Sequence, residues 1–325
     1  MAADKYTAWD RLGELVLRVA IPVVSLIPRR AGLKLGELIG RAIYLIDARH
    51  RRTARTQIAA CLGEEQARLL APRVFENLGR LIMEMFYMRR LSPAEVARRV
   101  RFEGLDHLWE ALAKGRGCLL LTAHTGAFEL MPSAFSLAFG RRVNAVVRRM
   151  DWEPAHRTLV RLRERFGNRS ILKGRAMRPI LRLLESGEVV AVLPDQNVAA
   201  REGVFVDFFG RPACTNRGMA QMALRFDTPV VPAFIRYEGA GRHVIEVQPG
   251  VRLTRSGDFP RDVLANTALF TQVVEGWVRR YPGEWFWMHR RWKTRPPEEA
   301  SGDGGTGCCG GGSGKEAGGA CSKAA

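Results

Sequence analysis

From residue 117 onward, short apolar runs alternate with amphipathic stretches of about ten residues, and that pattern constrains the fold more than any other feature. The runs GCLLLTA (117–123), VNAVVRR, RSIL, EVVAVLP, VFVDFF, TPVVPAFIRY and HVIEVQP read as strands. AFELMPSAFSLAF, EPAHRTLVRLRERFG, residues 177–185, residues 218–226 and a long stretch near 262–280 read as helices. Strands that alternate with helices predict an α/β fold with a mostly parallel central sheet flanked by helices. Chemistry in such sheets sits at the carboxyl ends of the strands.

The preceding residues have a different character. Residues 64–99 carry apolar positions at helical spacing, with a helix start at Ser92-Pro93. Met83, Met85, Phe86 and Met88 form a stripe that suits either ordinary core or the lining of an acyl channel. From Leu15 to Pro28 the chain is apolar except for Arg18 and Ser25, which is short of the ~20 residues a spanning helix needs. Asp4, Asp10 and Glu14 dilute the positive charge a signal peptide requires, so the segment is expected to be retained. Gly32, Gly36 and Gly40 recur on one helical face and allow close approach of a second helix. Arg29, Arg30, Lys34, Arg49, Arg51, Arg52 and Arg55 flank these segments and suit anionic headgroups on the cytoplasmic side, or the solvated face of a soluble hairpin. The expected organisation is an N-terminal membrane-associated helical hairpin over 1–60, a catalytic domain over 61–297, and a disordered tail rich in Gly, Ser and Cys over 298–325.

Fifty-one Lys and Arg against 33 Asp and Glu leave a net charge of +18, which favours an anionic partner without choosing one. A mean hydropathy of -0.13 excludes a many-span membrane protein. Cys61, Cys118 and Cys214 are scattered through the body and Cys308, Cys309 and Cys321 lie in the tail. None has a paired ligand spacing, so neither a metal site nor a disulfide framework is expected.

The sharpest local feature is LLLTAHTGAFEL, where a strand ends at Ala123, His124 occupies the exit, Thr125-Gly126 turn the chain and Glu129 falls in the first helical turn. A carboxylate there can reach back to the imidazole, fix its tautomer and stabilise the imidazolium formed when His124 takes a proton from a hydroxyl. That hydroxyl can attack a thioester carbonyl directly, with the amide of Gly126 and the helix N-terminus holding the oxyanion.

Several blocks then resemble one family in order. AHTGAFE is similar to the His-x4-Asp/Glu box of glycerolipid and lipid A acyltransferases, and VVRRMDWEP with RLRERFG resembles their Arg-bearing strand and helix. GEVVAVLPDQN, GVFVDFFGRPACTNRGMAQMALRFDTPVVPAF and WFWMHRRWKTRP resemble the middle and C-terminal blocks of the bacterial lipid A late acyltransferases, the lauroyl and myristoyl transferases. The resemblance runs from the basic N-terminal segment to about Pro297 and departs at Trp152-Glu153-Pro154, where the family's Asn-Pro is expected. It implies an acyltransferase with His124 as general base, Glu129 as its partner, and Arg148 or Arg163 in the substrate site, where a planar fork can grip a phosphate. The alternative for each arginine is an ion pair at the sheet edge. The implied partners are an acyl carrier protein or acyl-CoA donor, a glycolipid acceptor and membrane lipids. The implied location is the cytoplasmic face of the inner membrane, and no cofactor is implied.

Three further groups stay open on sequence alone. Asp195 and Gln196 sit at another strand exit and either shape the same cleft or form an Asx turn. Thr215, Asn216 and Arg217 precede a helix and either cap it or bind an anion. Trp285, Trp287, Trp292, His289, Arg290, Arg291, Lys293 and Arg295 suit a bilayer interface or single-stranded nucleic acid. No nucleic-acid-binding pattern supports the second, so nucleic acid is not expected as a partner.

Overall fold

A computed structural model describes residues 7–174 and 176–297. The expected tail, with Cys308, Cys309 and Cys321, lies outside the described residues. Four helices lead: α1 (Ala8–Leu26), α2 (Arg29–Ile46), α3 (Ala48–Leu62) and α4 (Glu64–Tyr87). Then come α5 (Pro93–Arg99), β1 (Val100–Glu103), α6 (Leu105–Leu112), β2 (Cys118–Leu121), α7 (Met131–Phe139), β3 (Val143–Val147) and α8 (Glu153–Glu164). β4 (Ser170–Leu172), α9 (Met177–Glu185), β5 (Val189–Val192), β6 (Gly203–Phe208), β7 (Arg211–Asn216) and α10 (Gly218–Arg225) follow. β8 (Val230–Gly239), β9 (Arg242–Val247) and α11 (Phe259–Arg280) complete the order.

The main sheet has seven strands in the order β1-β9-β8-β2-β5-β3-β4. Every pairing is parallel except β8 with β9, whose connection at Gly239, Ala240 and Gly241 has positive φ at all three residues and reverses the chain at once. The apolar runs are continuous because both faces are covered. Leu119, Leu121 and Val190 join one buried cluster, while Cys118, Leu120, Val189 and Ala191 join the other. The central sheet is therefore the α/β arrangement expected. β6 and β7 form a separate antiparallel pair.

The segment 64–99 divides, as α4 ends at Tyr87 and Ser92 caps α5 with Pro93 in its first turn. Met83 and Met88 are buried in the core, which settles the methionine stripe in favour of packing. Strand β7, strand β1 and helix α6 are not apparent from periodicity, because RPACTN and VRFE are short and carry polar residues.

The N-terminal helices differ from a simple hairpin. α2 packs along α4, and Gly36 and Gly40 lie against the backbone of Gly79 and Phe75, leaving no room for a Cβ. The glycine spacing thus finds its second helix in α4. Glu84 of α4, buried, accepts from Arg29 of α2 and contacts His243 Nε2 at 2.9 Å, which ties this pair to β9. Ala54 and Ile58 of α3 are fully buried in the same cluster as Leu119 and Leu121. α1 packs on α8 and leaves Trp9, Leu12, Leu15, Val16, Val19, Val23 and Leu26 exposed at three- and four-residue spacing. Among the described residues no helix is long and apolar enough to cross a membrane.

Candidate active site

β2 and β5 are parallel neighbours with Leu121 opposite Val192. Three residues beyond each, the exits bring His124 and Asp195 side by side at the carboxyl edge of the sheet. The imidazole Nδ1 lies 2.8 Å from Asp195 Oδ1, and the His124 backbone N–H donates to Asp195 Oδ2 at 2.9 Å. The indole N–H of Trp285 donates to the same Oδ2 at 2.9 Å. An ionised carboxylate only accepts, so Nδ1 carries the proton and Nε2 is left as the basic nitrogen.

Burial opposes charge on His124, but the Asp195 carboxylate and its hydrogen bond, seconded by Glu129, outweigh it and hold the pKa above its ordinary value. Burial likewise opposes ionisation of Asp195, and the imidazole with the Trp285 and backbone donors overcomes it, lowering the carboxyl to about 2. Each member of the pair favours the charged form of the other.

Glu129 differs from its expected contact. It lies in a single 3-10 turn before α7 and accepts a bidentate fork from Arg163 of α8, Nε to Oε2 at 2.7 Å and Nη2 to Oε1 at 2.5 Å. Asp195 already occupies the imidazole Nδ1, and the guanidinium holds both carboxylate oxygens, so the orienting hydrogen bond comes from the loop after β5 rather than from Glu129. Glu129 stays in the site as a second negative charge near His124.

His124, Glu129 and Arg163 line a cavity of about 630 Å³ with Arg148, Gln196 and His289 among its polar walls, while Asp195 is buried behind the imidazole and Gln196, beside it, reaches the cleft. The rest is largely apolar, built from Val143, Ala145, Val147, Ile180, Ala191, Met219 and Met222. Arg148 is exposed where β3 ends, and Met150 and the half-exposed Trp152 follow it. The Trp152 ring lies against Gly13, so α1 borders the same edge.

Gly126 does not line the cavity. Its φ of +51° fits glycine, and a Cβ there would meet the Ile235 carbonyl. Its N–H donates to the Glu284 carbonyl at 3.1 Å, Thr125 N–H to Ala123 O at 2.8 Å, and Phe286 N–H to the His124 carbonyl at 3.1 Å. Residues 284–286 thus pair with the exit loop, and the expected oxyanion amide of Gly126 is already taken.

The tryptophans and Arg291 of the C-terminal segment are interior, which corrects the reading of its aromatic residues as a surface for bilayer or nucleic acid, while Arg290, Lys293 and Arg295 are exposed. Trp285, Trp287, Trp292 and Arg291 are buried. Arg291 donates to the Cys214 carbonyl and Thr215 Oγ1, and Gln57 of α3 holds the carbonyls of Trp287 and His289 and the N–H of Arg291. Asn216 Oδ1 accepts from the Gly218 N–H in the first turn of α10, which is the capping alternative. Asp195, Trp285 and His289 are the site residues whose parts the sequence did not reveal. The available signal was the equal offset of His124 and Asp195 beyond two apolar runs.

Comparison with known proteins adds one family and three relatives. The family described as bacterial lipid A biosynthesis acyltransferase matches residues 7–294. A lipid A biosynthesis lauroyltransferase of Escherichia coli is 27% identical, covering 90% of this chain and 92% of that protein. A lipid A biosynthesis acyltransferase of Haemophilus influenzae is 25% identical over 85% and 86% of the two chains, and a phosphatidylinositol mannoside acyltransferase of Mycobacterium tuberculosis is 27% identical over 73% and 76%.

Proposed function

The chain belongs to the bacterial lipid A biosynthesis acyltransferase family and transfers acyl groups, and from that premise we propose that it moves a fatty acyl group from a carrier-protein or coenzyme A thioester to a hydroxyl of a lipid A precursor. The observation that supports this most is His124, oriented by buried Asp195, in the wall of a largely apolar cavity. An acyl chain suits the apolar walls, and the imidazole faces the reacting groups.

In this reading Nε2 of His124 takes the proton of the acceptor hydroxyl as its oxygen attacks the thioester carbon. The carbonyl electron pair moves onto oxygen and a tetrahedral intermediate forms. Its collapse breaks the carbon–sulfur bond, and the thiolate leaves with the proton from Nε2. The products are an ester and a free thiol. Asp195 stabilises the transient imidazolium and keeps the tautomer. Glu129 adds negative charge nearby and holds Arg163, whose remaining N–H groups, with Arg148 at the rim, suit a phosphate of donor or acceptor.

The same reading places the enzyme at the cytoplasmic face of the inner membrane. α1 then lies in the interface plane with its apolar face in the lipid, which needs no spanning helix and brings the rim at Trp152 to the lipid acceptor.

With purified enzyme, His124→Ala should lower transfer by about 10³-fold or more while the thermal transition is kept, and Glu129→Ala should also lose transfer. The base must be neutral, and its folded pKa is raised, so the acid limb of kcat should lie above 6.5 and move down in Asp195→Asn. Wild-type rates in folded His124→Ala would overturn this mechanism.

A further inference from the structure

We propose that His289 is a second catalytic residue of this reaction, its Nδ1–H acting as a neutral hydrogen-bond donor to the thioester oxygen as negative charge develops there. The inference rests on the acyl-transfer reading above. A tetrahedral intermediate needs donors for its oxyanion, and the three amides nearest the imidazole are already taken. The N–H of His124 is held by Asp195, that of Thr125 by Ala123 O, and that of Gly126 by Glu284 O. Arg163 directs two of its N–H groups to Glu129.

His289 lines the same cavity as His124. Its Nε2 accepts the backbone N–H of Asn197 at 3.0 Å. A backbone amide can only donate, so Nε2 carries no proton, and the neutral ring must hold its hydrogen on Nδ1. Among the described residues Nδ1 has no hydrogen-bond partner. Burial, with the neighbouring charge of His124, lowers the pKa to about 4 and keeps the ring neutral at neutral pH. Neutrality matters here, because His124 becomes an imidazolium during the reaction and a second cation beside it would oppose that step. The ring is also held in place: Gln57 binds the His289 carbonyl at 2.8 Å, and the residue's N–H donates to Phe286 O at 3.2 Å. A donor fixed before charge develops needs no reorganisation when it does.

The test separates donation from anchoring. His289→Asn places an amide near the Nδ1 position and loses the acceptor for Asn197. His289→Gln places its amide near Nε2, keeps that acceptor and loses the donor. His289→Phe loses both. The assay follows thiol release from lauroyl-coenzyme A by the full-length enzyme in detergent, with a synthetic hydroxyacyl glycolipid as acceptor. The expected result is a fall in kcat of about 10²–10³-fold for the Gln and Phe variants with KM within threefold, and a milder loss for Asn. A kcat within threefold of wild type in the folded Phe variant, a change confined to KM, or a greater loss in Asn than in Gln would overturn the proposal. An inactive His124→Ala beside an active His289→Phe would sink this inference alone. No thiol release from the wild-type enzyme, or full release from His124→Ala, would sink the acyl-transfer reading itself.

Discussion

At the scale of single residues, the site depends on which groups share a charge. His124 and Asp195 each stabilise the ionised form of the other, whereas Glu284 stands behind the loop in a place that resists ionisation. Burial raises its carboxyl to about 7, against the opposing pull of the Tyr237 N–H and of Arg236 and Arg80. A carboxyl with a folded pKa above its unfolded value contributes stability that is complete below about 4.5 and is lost as pH rises through about 7. Glu284→Gln keeps an acceptor for the Tyr237 N–H and cannot ionise. Thermal melts of the two proteins should therefore diverge between pH 5 and pH 8, with the variant the more stable at pH 8 by on the order of 1–3 kcal/mol. Parallel melting curves across that range would contradict the assignment. His124 was legible in the sequence because a titratable group at the exit of an apolar run is conspicuous. Its partner was not, because sequence spacing favours Glu129 at five residues over Asp195 at seventy-one, and only strand register brings Asp195 to Nδ1.

At the scale of elements, parallel pairing of β2 with β5 does the positioning, and its runs GCLLLTA and EVVAVLP were readable as strands for the reason that both faces of the sheet are covered. β7 was hidden, since RPACTN has neither alternation nor a sustained apolar run. The C-terminal tryptophans misled for a related reason. Interleaved aromatic and cationic side chains look like a surface, yet here buried Arg291 donates to carbonyl and hydroxyl acceptors and lies over the Phe208 ring. α1 packs on α8 with one side and leaves the other exposed. Its apolar stripe predicts that the full-length protein floats with anionic phospholipid vesicles, and that Val16→Asp with Val19→Asp abolishes flotation while leaving the thermal transition unchanged. Undiminished flotation of the double variant would contradict an in-plane α1.

At the scale of the whole molecule, an N-terminal layer and an α/β layer are joined through side chains that cross the sequence. Gln57 links α3 to residues 287–291, and Glu84 links α4 to β9. The division at residue 60 expected from composition therefore runs through a continuous core, because Ala54 and Ile58 pack with the sheet. Composition registers a change in charge and hydropathy and is blind to such contacts. A net charge of +18 beside an exposed apolar helix suits a body that meets an anionic lipid surface and an anionic thioester donor. The reaction and acceptor together are tested most directly by mass spectrometry of lipid A from the source organism with the gene deleted, then complemented by the wild type or by His124→Ala at equal protein level. The prediction is loss of one ester-linked acyl chain on deletion, its return with the wild type, and no return with His124→Ala. Unchanged lipid A on deletion, or full restoration by His124→Ala, would contradict it.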